Sequence, residues 1–139
     1  MSILNGLKIL DFSSMVPGPF ATMMFADLGA DVVHVESSKR VDMMRVMPPY
    51  DDDKESYIHQ HLNRSKKSIS LNLKTAEAIE VVKQLSTEYD IIIEGFRPGV
   101  MKRLGLMLMT FSIIFVMCFI LMKMLPFTVI PEAGTDPLI

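Results

Sequence analysis

Residues 9–36 read ILDFSSMVPGPFATMMFADLGADVVHVE, from Ile9 to Glu36. A short apolar run, Ile9 to Phe12, leads into a turn at Val16-Pro17-Gly18-Pro19, then a helical pattern. Gly29 follows, then a second apolar run around Val32, Val33 and Val35. The order predicts strand, helix and strand at the length of a right-handed βαβ unit. Pro19 suits the first turn of a helix, where a missing N–H costs nothing. Phe20, Met23, Met24 and Leu28 recur at helical spacing, which predicts the face that packs on the sheet. Gly29 predicts a helix C-cap. The three valines are β-branched and fit a buried parallel strand. The turn offers Gly18 alone, with no G-x-G-x-x-G, so a dinucleotide site is poorly supported.

The same alternation runs outward from this stretch. The first strand is expected over 8–12. Beyond Glu36 lies a polar stretch, Ser37-Ser38-Lys39-Arg40, then a loop through Met47-Pro48-Pro49-Tyr50 and Asp51-Asp52-Asp53. Three adjacent carboxylates lack the alternating ligands and turn glycine of a calcium loop, so a solvated loop is the reading. Glu55 to Leu62 predicts a short helix. His59 and His61 are two apart and point different ways on a helix, so they make no metal pair. Ile69, Leu71 and Leu73 alternate as in a strand. Thr75 is a plausible N-cap, with Glu77 in the first turn of a helix over 75–88 carrying Ile79, Val82 and Leu85. Ile91-Ile92-Ile93-Glu94 predicts a further buried strand. Gly95-Phe96-Arg97-Pro98-Gly99 turns the chain into a helix from Val100. Strands alternating with helices imply an α/β class with a mostly parallel sheet flanked by helices.

Composition bounds the functions. The chain of 139 residues carries a net charge of −2, which gives no electrostatic case for nucleic acid. Its single cysteine, Cys118, allows no internal disulfide and sits in an apolar run. The opening MSILNGLKILDF has no basic region followed by a long apolar one, so no cleaved signal peptide is expected. Charge is unevenly spread. Residues 107–139 carry only Lys123, Glu132 and Asp136 among all their Lys, Arg, Asp and Glu positions. This drop places a boundary near Gly105-Leu106, dividing the chain into 1–105 and an apolar tail, 106–139.

In open α/β sheets, ligands bind beyond the carboxyl ends of the strands. Met15-Val16, Ser37 to Lys39, Asn72 to Lys74 and Phe96-Arg97 follow the four expected strands. The basic members, Lys39, Lys74, Arg97 and Arg103, suit phosphate groups, and equally suit ordinary solvated loops.

Three blocks carry a family resemblance: GPFATMMFADLGADVVHVE, NRSKKSISLNLKTAEAIEVVKQL and EGFRPGVMKRLGL. In this order they closely resemble the amino-terminal part of the family III CoA-transferases, the group of formyl-CoA transferase and α-methylacyl-CoA racemase. The resemblance implies a Rossmann-like portion that supplies much of a coenzyme A pocket, with CoA or acyl-CoA as substrate and acyl carrier and no metal. It carries the CoA contacts onto Met15, Val16, Lys39, Leu71, Asn72, Lys74, Phe96, Arg97 and Arg103. Ser37 stands where many members have Arg after the glutamate, so Lys39 only partly replaces that phosphate contact. The family is cytoplasmic and transfers CoA between carboxylic acids or racemises acyl-CoA. Its catalytic aspartate, and the His and Asp of the racemase branch, match no residue here. The expectation is therefore a catalytically incomplete chain that does not form the family's interlocked dimer.

Residues 106–122, LMLMTFSIIFVMCFILM, have Thr110 and Ser112 as their only polar members. Seventeen such residues predict an apolar helix at the lower limit for spanning a bilayer, flanked by Lys102, Arg103 and Lys123. Codons read out of frame would give the same composition, and the abruptness of the break favours that origin. The alternative reading is a membrane-attached, non-catalytic module that binds CoA or acyl-CoA.

Overall fold

A computed structural model describes residues 2–106 and the backbone of 110–111. The elements follow in the order β1 (Lys8–Phe12), α1 (Pro17–Asp27), β2 (Asp31–Ser37), a 3-10 turn (Met43–Val46), α2 (Tyr57–Asn63), β3 (Lys67–Leu71), α3 (Ala76–Ser86), β4 (Ile91–Glu94), α4 (Val100–Arg103) and β5 (Thr110–Phe111). Every strand pairing is parallel, in the order β3-β2-β1-β4-β5. Four strands form the sheet proper, and the two-residue β5 lies beside β4.

The topology explains where the helices lie. From β1 the chain steps to β2 and on to β3, then crosses back over β1 to reach β4. Right-handed crossovers in opposite directions put their helices on opposite faces. On one face Ile9, Val32 and Ile93 pack with Ala26 and Ala30 of the α1 region. On the other, Leu10, Phe12, Val33, Val35 and Ile92 pack with Val82 of α3 and with Met101 and Leu106. The reversal of strand order falls between β1 and β4, and such a switch point opens a crevice at the strand ends.

Several local expectations meet the structure directly. Thr75 Oγ1 accepts a hydrogen bond from Ala78 N, capping α3, whose Val82 is completely buried. Gly29 takes φ +95°, the left-handed conformation that ends a helix at little cost to glycine. Asp51 caps its own loop by accepting from the N–H groups of Asp53 and Glu55.

Two expectations need correction. On α1 the sheet-facing residues are Pro19, Thr22, Met23 and Ala26, while Phe20, Met24 and Leu28 are 41%, 50% and 42% exposed. The helix is turned because Thr22 Oγ1 donates to the buried Asp11 carboxylate, and Ala26 lets the backbone approach the sheet. Next, β3 starts earlier than its apolar alternation and stops at Leu71, because Asn72 begins a turn. Its side-chain Oδ1 accepts from Lys74 N and its carbonyl from Thr75 N. The expected apolar helix over 106–122 lies outside the described residues except at Leu106 and at Thr110–Phe111, which form the short strand β5. Ile92 and Ile93 of β4 pair with Thr110 and Phe111. No helix among the described residues is long and apolar enough to cross a membrane.

Candidate functional site

The site begins with a carboxylate inside the core. Asp11, on the α1 face of β1, is fully buried. Its Oδ1 accepts from the N–H and hydroxyl of Ser13, and its Oδ2 from the hydroxyl of Thr22. Lys66 Nζ stands 3.5 Å from Oδ2, with a side chain that is itself fully buried. That ammonium also donates to the Pro19 carbonyl at 2.9 Å and to Asn63 Oδ1 at 3.1 Å. His34 Nδ1 is likewise 3.5 Å from Asp11 Oδ2, and this nitrogen makes no hydrogen bond among the described residues. Burial alone would raise the Asp11 pKa, but His34, Lys66 and Ser13 outweigh it and hold the carboxyl below its ordinary range. Burial lowers the Lys66 pKa, against the pull of Asp11. A charge pair taken out of water persists when its remaining polar atoms are satisfied, as they are around Lys66. The pair pins the start of α1 to the end of β1. Gly18 completes this junction, since a Cβ there would overlap the Ser13 side chain.

The loops beyond the strand ends are tied to one another. Asp42, in the β2–α2 connection, accepts from Met15 N at 3.1 Å across 27 residues of sequence. Ser38 N donates to Leu71 O at 3.3 Å, joining the loops after β2 and β3. Phe96, after β4, lies tilted against Phe12 at the end of β1 with ring centroids 6.4 Å apart. Arg45 grips Glu36 with two hydrogen bonds, 2.9 and 2.7 Å, at the carboxyl end of β2. Those bonds from Arg45, opposed by partial burial and aided by Ser68, lower the Glu36 pKa to about 2.

Against this frame the candidate residues are placed as follows. Met15 and Val16 follow β1 and are exposed. Lys39 follows β2; Leu71, Asn72 and Lys74 close β3; Phe96 and Arg97 follow β4; Arg103 ends α4. Met15, Val16, Lys39, Asn72, Lys74, Phe96 and Arg97 therefore lie on the connections that leave the carboxyl ends of the strands, Leu71 is the last residue of β3, and Arg103 stands apart at the end of α4. Lys39, Lys74, Arg97 and Arg103 are exposed, and none has an ion-pair partner among the described residues. Leu71 and Phe96 are half-buried against the α3-side core. Phe96 N is already taken, donating to Glu94 Oε2 at 2.7 Å.

The strand-end edge is open rather than enclosed. Two hollows among the described residues lie elsewhere. One, about 610 Å³ and shallow, runs along α2 by Tyr57, His61 and Arg64. The other, about 310 Å³, lies between α2 and the β2–β3 strands and includes His34, Glu36, Arg45 and His59. His59 is buried, with Nε2 unpartnered among the described residues, and burial followed by nearby Arg45 lowers its pKa. No cluster of three or more His, Cys, Asp or Glu suited to a metal occurs among the described residues.

Sequence reading overlooked Asp11, Lys66 and Asp42. Asp11 gave a signal, a lone carboxylate in an apolar strand. Lys66 gave none, because within Arg64-Ser65-Lys66-Lys67 it looks like any surface cation, and only the fold buries it.

Fold and edge together define a doubly wound parallel α/β domain with a cation-bearing strand-end surface. The sequence profile of CoA-transferase family III matches residues 4–114, and the chain belongs to that family. It is 39% identical over 103 residues to human succinyl-CoA:glutarate CoA-transferase. It is 40% identical over 107 residues to succinyl-CoA:mesaconate CoA-transferase of Haloarcula marismortui, and 40% over 102 to formyl-CoA:oxalate CoA-transferase of Escherichia coli. These alignments cover 73–74% of the chain but 24–27% of the relatives, so the chain spans about a quarter of the length of the curated relatives it matches. A crystal structure of a hypothetical protein from Mycobacterium tuberculosis superposes with TM-score 0.69 at 34% identity, over 76% of this chain and 29% of that one. A CAIB/BAIF family protein from Brucella suis gives TM-score 0.69 at 33% identity, with the same two coverages.

Proposed function

We propose that this chain supplies the first part of a coenzyme A pocket of the family III type and does not itself complete acyl transfer. Lys39, Lys74, Arg97 and Arg103 meet the phosphates of CoA; Met15, Val16, Leu71, Asn72 and Phe96 line the pocket beside them. The observation that carries the reading is that most of these residues lie at or just after the carboxyl ends of neighbouring parallel strands, with contacts joining several of those loops, and that the four cations are exposed with no ion-pair partner among the described residues. The acyl group is chosen elsewhere. Three relatives named for glutarate, mesaconate and oxalate resemble this stretch at 39–40% identity, as expected if it handles the CoA they share.

The test is calorimetric titration of the full chain with CoA at low and moderate salt. An open edge carrying exposed cations binds weakly and loses affinity as salt screens it. The expected affinity is weaker than micromolar, which corresponds to roughly 8 kcal/mol, and Arg97→Ala weakens it further. Submicromolar, salt-independent binding would mean that the pocket is complete within this chain. Binding indifferent to Arg97→Ala, or no binding at low salt, would mean that the residues are misassigned.

A further inference from the structure

We propose that Asp42 is a positioning residue for the CoA-facing loop after β1, holding Met15 in a left-handed backbone conformation and locking that loop to the β2–α2 connection. The inference rests on the CoA reading above. Met15 has φ 66°. A residue with a Cβ pays for that conformation, so it persists where surrounding contacts impose it. The Met15 side chain is half exposed and does not supply the constraint. Its backbone N–H does, by donating to Asp42 Oδ2 at 3.1 Å.

The other oxygen, Oδ1, accepts from Met44 N at 2.9 Å and opens the 3-10 turn. That turn is rigidly seated. Met44 is buried, and Arg45 clamps Glu36 of β2. One carboxylate thus transmits the position of β2 to the loop that leads into α1. A shorter or neutral side chain would leave one N–H unanswered and free Met15 to relax to φ below zero. The competent loop would then be only a fraction of the population, and apparent affinity falls by that fraction.

Two readouts on the full chain test this. The first is amide hydrogen exchange without ligand. Asp42→Ala should speed exchange at Met15 by about tenfold or more while the amides of β1 keep their protection. The second is CoA affinity, which should fall by about tenfold in Asp42→Ala. Adding Met15→Asn should recover part of that loss, because Asn tolerates the left-handed region. Where Asp42→Ala does not fold, the isosteric Asp42→Asn is measured in its place. Unchanged exchange at Met15 overturns the proposal. Faster exchange with unchanged affinity also overturns it, while leaving the Arg97-dependent CoA reading intact. Failure of the unaltered chain to bind CoA overturns the CoA reading and this role with it, whatever the exchange shows.

Discussion

Asp11 is the residue on which the start of the molecule depends. It is a carboxylate at zero exposure, answered by two hydroxyls, a backbone N–H and the buried ammonium of Lys66. Removing one member of a buried pair leaves the other charged and unpaired, a loss of about 3–5 kcal/mol. Asp11→Ala should therefore cost about that much stability in urea unfolding. Lys67, next along the chain, pairs with Asp31 in solvent, and Lys67→Ala should change stability little. Equal effects from the two variants would mean that Lys66 does not spend its charge on Asp11. Neighbouring lysines thus differ in energetic weight because the fold buries one beside Asp11 and leaves the other in water.

At the scale of elements, the β2–α2 connection behaves as part of the sheet through the Glu36–Arg45 clamp. Glu36 has its pKa lowered from 4.5 to about 2, chiefly by hydrogen bonds from Arg45. A depressed carboxyl stabilises the fold only while ionised in it. The contribution is complete above pH 4.5 and is lost as the pH falls toward about 2. Glu36→Gln should be less stable than the unaltered chain near neutral pH, and the gap should close across that acid window. Asp11 is shifted the same way, so both proteins weaken in acid and the difference between them is the informative quantity. Unfolding midpoints by circular dichroism, followed from neutral pH into acid, measure it. A gap that stays constant would show that Arg45 does not stabilise the ionised form.

For the molecule as a whole, the parallel sheet sets most of the candidate CoA contacts at or just beyond the carboxyl ends of its strands, while the two hollows described above lie elsewhere. Three carboxylates near that edge are committed. Asp11 holds Ser13, Thr22 and Lys66; Glu36 holds Arg45; Asp42 holds two backbone N–H groups. Each of the three is held in contacts that stabilise the fold. The purified chain should accordingly show no CoA transfer between carboxylic acids and no exchange of an α-proton, assayed free of any longer relative. Turnover abolished by changing a single acidic residue of this chain would place catalysis within it.

Residue order alone determined the alternation of strands and helices and the direction of the sheet. Val32, Val33 and Val35 in one run, and Ile91 to Ile93 in another, lack polar alternation and so belong to strands covered on both faces, which parallel sheets require. The wording of three blocks determined the family. Local pattern did not determine which way α1 faces, because the apolar periodicity of Phe20, Met24 and Leu28 competes with a buried carboxylate on the strand below. Hydrogen bonding to Asp11 decided that contest, since an unanswered buried charge costs more than three half-exposed apolar side chains. The same holds for Lys66, Asp42 and the extended backbone at Thr110–Phe111. Each is fixed by a partner distant in the chain: Asp11, Met15 or the open edge of β4. Such partners come within reach only after the sheet has formed, so tertiary structure decided them.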